Sequence, residues 1–277
     1  MTTSRLKAWL DDGTDDFLWI EFEQYARRVF AHAGDDWYLD AARYAATLIQ
    51  AQSVIPTRCL SVDILAPCVA NLEPGPRSPD TVIDALNGDI ASAFIAGVLD
   101  ALLHRFSGQL DVVLKVHAPW DLLSGGERMT TIEFDSLDDV ATATATVLRK
   151  FSDKPIAALL LERAEGGALS DDEVDAYEPL IGIARHYDWH TALSFAALSD
   201  GSATLDQLDV DVVLCPNTAR DNLPGKSSRP CIGGGLDSNF WTAPPSPSDL
   251  TGRLLYGVIP SDAQPERVLA VLAGLGG

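Results

Sequence analysis

The chain has 277 residues, 47% of them hydrophobic and 22% charged, and its 40 acidic against 20 basic residues give a formal net charge of −20. That length and apolar fraction support a substantial core and exclude a disordered or collagen-like chain. The acidic balance excludes a function built on a basic patch, so neither nucleic acid nor a membrane surface is an expected partner.

No stretch approaches the roughly 18 uninterrupted apolar residues of a membrane helix. Residues 1–16 lack the basic-then-apolar pattern of a leader. Four scattered cysteines, Cys59, Cys68, Cys215 and Cys231, form no CxxC pair. They are expected to be reduced thiols in a cytoplasmic protein.

Residues 1–56 read as a helical segment. Over 15–33, Phe17, Leu18, Phe22, Tyr25, Val29 and Phe30 recur at helical spacing, and a second helix is expected over 38–51, ended by Pro56. The period then changes. The apolar run at 59–65, closed by Pro67, reads as a buried strand, and the Pro- and Gly-containing stretch 71–79 reads as a loop.

From there strands and helices alternate. Helices are expected over 88–106, 136–151, 171–187, 202–208 and 262–275. Strands are expected over 110–116, 156–161, 191–195, 210–214, 230–233 and 254–259. Strands alternating with helices imply a parallel sheet, and seven strands at this spacing suit an irregular (β/α)8 barrel better than an open sheet. No G-x-G-x-x-G follows the first strand, which argues against a dinucleotide fold. The Pro-rich stretch 244–247 is too short to separate domains, so one domain over 1–277 is expected.

In such a barrel the active site lies at the C-terminal strand ends. Standing there by this reading are Asp63, His117, Trp120, Glu162, Arg163, His190, Cys215, Asn217, Asp237 and Tyr256. So many polar groups at one rim exceed what packing needs, because buried polar atoms cost energy unless paired. Asp63 either binds an N–H-bearing or cationic group or caps a turn. His117 is either a proton carrier or a hydrogen-bonded structural imidazole. Glu162 and Arg163 are adjacent, so on a strand only one of them points into the barrel. His190, Cys215 and Cys231 offer an open zinc site, although buried cysteines are often just small hydrophobes. The triplet Gly233, Gly234 and Gly235 is either a phosphate-binding turn or a tight turn at a crowded strand end.

Three segments, in this order, resemble the uroporphyrinogen decarboxylase superfamily, which also holds corrinoid-dependent methyltransferases and cobalamin-independent methionine synthases. SVDILAP at 61–67 is similar to the decarboxylases' SDIL-x-P strand end, HAPWDLLSGG at 117–126 to their G-A-P-W-T-L…G-G segment, and GGLD at 234–237 to G-N-L-D. The resemblance implies a barrel over roughly 38–275, with Asp63 in the place of the aspartate that holds substrate pyrrole N–H groups.

The departures are as informative. Residues 1–56 hold no counterpart of the arginine-rich substrate motif, and Leu122 to Gly125 replace a tyrosine-bearing stretch. In the methyltransferase branch a zinc-binding H-x-C pair follows a middle strand; here His190 stands in a similar position with Ala192 where the cysteine would be. The expectation is a divergent enzyme acting on a small organic acid or heterocycle, in a lyase or decarboxylase-type step. Asp63 orients the substrate, His117 or His190 moves the proton, and Arg163 neutralises a carboxylate, with Glu162, Trp120, Asn217, Asp237 and Tyr256 lining the site. No cofactor is expected, zinc-dependent methyl transfer being the alternative and a catalytically degraded binding subunit a third reading. The expected partners are a small-molecule substrate and, at most, a second copy of the chain in a homodimer.

Overall fold

The computed structural model describes residues 4–31, 37–127, 129, 131–164, 169–195, 209–223, 230–242 and 253–275. Among them eight strands lie parallel: β1 (Phe17–Glu21), β2 (Cys59–Asp63), β3 (Asp111–His117), β4 (Ala158–Arg163), β5 (His190–Phe195), β6 (Val212–Leu214), β7 (Cys231–Gly235) and β8 (Leu254–Val258). β1 pairs with β8, and pairing then runs in order from β8 back to β2. β1 and β2 meet without a ladder. Arg58 N donates to Leu18 O at 2.8 Å and Ile20 N to Thr57 Oγ1 at 3.0 Å. The ring is thereby nearly closed, and with helices between the strands it is a (β/α)8 barrel.

Parallel strands covered on both faces are written as near-continuous apolar runs. In β3, Val112, Leu114 and Val116 join the outer core under the helices, whereas Val113 faces the barrel interior. Phe17, Trp19, Cys59, Ala158, Leu160, Ala192, Val212, Leu214, Cys231, Leu254 and Tyr256 share that interior. Helix α1 (Arg5–Asp12) plugs its N-terminal end with Leu6 and Trp9, capped by Ser4 and held by the Asp111 carboxylate, which accepts from Arg5 N and Leu6 N at 3.1 and 2.7 Å. Gly233 sits where an added Cβ would come within 2.7 Å of Leu254, so the glycine triplet serves strand packing inside β7.

Around the sheet lie α2 (Glu23–Phe30), α3 (Ala41–Gln52), α4 (Ala66–Val69), α5 (Pro79–Leu86), α6 (Asp89–Phe106), α7 (Pro119–Ser124), α8 (Phe134–Arg149), α9 (Asp171–Ala176), α10 (Glu178–His186), α11 (Ser238–Thr242) and α12 (Pro265–Ala273). No single described helix is long and apolar enough to cross a membrane; α5 and α6 reach that length and apolarity only as a pair bent by 52°.

Three elements differ from the sequence reading. The single helix over 15–33 is instead β1 followed by the shorter α2, because Phe17, Trp19 and Glu21 alternate inward while the ring needs a strand beside β8. The helix over 171–187 divides at Tyr177, just before Pro179, which lacks the N–H a continuous helix requires. The stretch 71–79 is followed directly by α5, with Ser78 as its cap and Pro79 in its first turn. The expected helix over 202–208 and the stretch 244–247 lie outside the described residues.

Candidate active site at the C-terminal end of the barrel

Period-two alternation carries one charged layer into the barrel mouth. Asp63 stands opposite Lys115 across β2 and β3, and His117 opposite Glu162 across β3 and β4. Glu21 closes β1 at the same level. Lys115 Nζ lies 3.4 Å from Glu162 Oε2, 3.9 Å from Asp63 Oδ2 and 4.0 Å from Glu21 Oε2. His117 Nε2 lies 2.9 Å from Asp63 Oδ2, and Nδ1 lies 3.5 Å from Glu162 Oε2. Each buried cation is thus met by two or three carboxylates, the condition under which charges survive burial.

The acids are oriented in turn. Asp63 Oδ1 accepts from the backbone N–H groups of Leu65 and Ala66 at 3.1 and 2.8 Å, where the chain turns into α4. Trp19 Nε1 donates to Glu21 Oε1 at 3.0 Å, and the Ser61 hydroxyl donates to the same oxygen. Glu23, in the first turn of α2, is buried beside this group.

The environment separates the acids by pKa. Burial opposes ionisation of Asp63, but His117 and Lys115 outweigh it and hold the carboxyl well below its usual range. The Asp63 charge raises His117 to about 9 against the opposing effect of burial. Burial raises Glu21, and it raises Glu23 to about 7 despite Lys115 nearby. Burial works against the Lys115 ammonium, yet Glu162, Asp63 and the other acids drive its pKa well up.

Asp63, His117 and Glu162 therefore converge as the sequence suggests. Tyr256 stands next to them on the inner face of β8, its phenol pKa raised by burial and by the charges of Glu21 and Glu162; the other candidates do not join them. His190 opens β5 instead of following it, so its ring lies at the N-terminal end of the barrel, 3.2 Å from Asp211. Arg163 points out of the barrel, opposite to Glu162. There its Nε lies 2.9 Å from Glu173 Oε1 and its guanidinium lies 5.3 Å from the Trp120 ring, which places both residues under the outer helices. Asn217 is exposed in a turn, and Asp237 accepts from Phe240 N at 3.0 Å to start α11. Tyr256 is fully buried in the interior, edge-on to Trp19 at 6.1 Å.

The zinc set fails on geometry. Cys231 belongs to the inner cluster, Cys215 to the outer one, and His190 to the far end. Among the described residues a different trio, Asp63, His117 and Glu162, presents ligand atoms within 4.8 Å of one another. Two carboxylates and an imidazole are atoms that zinc accepts.

Lys115, Glu21 and Glu23 escape the sequence reading. Lys115 had a signal: it lies two residues before His117 on one strand, so both must face the same way. Glu21 and Glu23 were hidden by the helical reading of 15–33.

No family model matches the chain, and no curated protein does. Solved structures do. One is the homocysteine methyltransferase MmuM from Escherichia coli in its metallated form, 14% identical, with a TM-score of 0.50 over 97% of this chain and 99% of that one. The likeness is one of fold. It is a barrel of the kind the sequence resemblance implied, at low sequence identity.

Proposed function

We propose that the protein is an enzyme acting at the C-terminal mouth of its barrel on a small organic molecule, by a lyase or decarboxylase-type reaction in which His117 donates the proton. The carrying observation is the imidazole set between two carboxylates, 2.9 Å from Asp63 and 3.5 Å from Glu162. Asp63, fixed by two backbone N–H groups, orients the ring through Nε2, as a buried aspartate does in other acid–base pairs. The Nδ1 side is looser and more open, the His117 and Glu162 side chains being 26% and 24% exposed. Nδ1–H is accordingly the proton to deliver.

In a decarboxylation the bond to the carboxylate carbon breaks, carbon dioxide leaves, and the electron pair stays on the substrate carbon. His117 Nδ1–H then protonates that carbon, and the neutral imidazole regains a proton from water. A pKa near 9 keeps the ring charged at neutral pH, and a carbanion is basic enough to take the proton. The test is a screen of small organic acids and heterocycles for product formation, followed by His117→Asn on any compound turned over. The variant should lose about 10²–10⁴-fold in kcat. Turnover at the parent rate would sink the assignment.

A second reading, methyl transfer with a bound metal, rests on the ligand trio Asp63, His117 and Glu162. These three would hold the ion, which when bound supplies Lewis acidity for activating a substrate atom. The expected result under this reading is one zinc per chain by elemental analysis, lost in Asp63→Ala. Turnover undiminished after exhaustive chelation would remove it.

A further inference from the structure

The end of the barrel opposite the mouth has a cavity that the reaction at His117 does not use. It measures about 520 Å³ and lies between α1, the C-terminal end of α6 and the starts of β3 and β5. Pockets that hold small organic ligands commonly measure about 300–1,000 Å³ and are mostly apolar. This one is apolar along Leu103, Phe106, Leu110, Val112, Pro155 and Ile156. Three nitrogen-bearing side chains complete the wall: Arg5 and Lys7 from α1, and His190 from β5.

The acids of this cavity are engaged, whereas its cations keep donors to spare. Both oxygens of Asp111 accept backbone N–H groups, those of Arg5 and Leu6. Asp188 stands at the rim with its side chain 92% exposed, 3.7 Å from Lys7 Nζ and so beyond hydrogen-bond reach. Arg5 Nη2 donates to Gly108 O at 3.1 Å, and no described residue accepts from the rest of that guanidinium. His190 Nδ1 lies 3.2 Å from Asp211, a carboxylate that also accepts from Thr191 N, and no described residue meets Nε2. Guanidinium and ammonium groups only donate, so the groups they lack are acceptors.

We propose that this cavity is a second ligand site, for a small monocarboxylate with an apolar body. The carboxylate accepts from Arg5 and Lys7, and the body covers Leu103, Phe106 and Ile156, where burying its apolar surface supplies most of the affinity. An ammonium ligand would be left with the solvated Asp188 as its acceptor, and a polyanion would meet the charges of Asp111 and Asp188. The site is independent of the chemistry proposed at the mouth. β3 starts with Asp111 at the cavity and ends with His117 at the mouth, about 20 Å away at roughly 3.3 Å per residue, so one small ligand cannot touch both.

The probe is sodium 4-phenylbutyrate, titrated into protein carrying ¹⁵N-labelled histidine, with 4-phenylbutylamine and 4-phenylbutanol as cationic and neutral counterparts. The chain has 5 histidines, so one spectrum reports His190 at the cavity and His117 at the mouth. His190→Gln and His117→Asn assign the two rings. Phenylbutyrate should shift the His190 resonances saturably, leave those of His117 in place, and bind more tightly than the amine or the alcohol. Replacing both Arg5→Gln and Lys7→Gln should weaken the binding about tenfold. His190 left unmoved, the amine or the alcohol binding as tightly as the acid, or undiminished binding in the double variant each overturns the proposal. The comparison of the three probes is made on the wild-type chain and needs no variant to fold.

Discussion

Lys115 is the residue on which the charged layer depends. Its side chain is 13% exposed and its ammonium faces three carboxylates within 4.0 Å, so its removal leaves Glu21, Asp63 and Glu162 to repel one another in a poorly hydrated space. Breaking a buried pair by deleting one partner costs about 3–5 kcal/mol, because the remaining charge is uncompensated. Lys115→Met keeps the stem and removes only the charge. Urea unfolding should show a loss of that order near pH 8. About half should return near pH 5, where the orphaned carboxyls take up protons. An equal loss at both values would mean that packing, not charge, is what Lys115 contributes. The same residue shows why sequence legibility is uneven. His117 and Glu162 were readable because each follows an apolar run, and Asp63 because it matches the decarboxylases' strand end in the resemblance, whereas Lys115 sits inside a run and reads as an interruption. Arg163 was misassigned for a related reason: alternation said that only one of the adjacent pair could enter the barrel, but not which one.

At the scale of elements, the strands that were legible are those whose apolar runs are bounded by Pro, Gly or charge, such as the one over 59–65 closed by Pro67. β1 was not. Phe17, Leu18 and Phe22 satisfy helical spacing, while Phe17, Trp19 and Glu21 satisfy alternation, and local sequence does not choose between them. The ring chooses: β8 needs a parallel partner, and β1 supplies it from Phe17 opposite Leu254 to Glu21 opposite Val258. The error had a functional consequence. Moving Glu21 from a helix to a strand end, with Glu23 just beyond at the start of α2, brings two further acids to the site. His190 shows the converse. The strand was expected over 191–195 and is present, but His190 opens it, and in a parallel barrel the start of every strand belongs to the end plugged by α1, so chain direction already argued against His190 at the mouth.

For the whole molecule, a net charge of −20 and a charged mouth combine to set how stability depends on pH. Glu23 is raised from 4.5 to about 7 in the folded chain, so its contribution is complete below pH 4.5 and is lost as pH rises through 7. His117 is raised from 6.5 to about 9, so its contribution is complete below 6.5 and is lost as pH rises through 9. Asp63 is lowered, and its contribution disappears only as pH falls below the ordinary carboxylate range. Between about pH 5 and 9 the first two effects share a sign: the folded chain binds more protons than the unfolded one, and stability declines. Each is worth on the order of 1–3 kcal/mol. Repulsion among the surface acids grows over the acid part of the same range, but it is screened within about 8 Å at physiological salt, whereas the buried groups are screened much less. Urea midpoints taken at about pH 5.5, 7 and 9 should therefore fall steadily, and 0.5 M sodium chloride should raise all three without flattening the slope. In Glu23→Gln the step between pH 5.5 and 7 should shrink while the step between 7 and 9 stays. A flat profile, or one that salt abolishes, would place the pH dependence on the acidic surface and not in the barrel mouth.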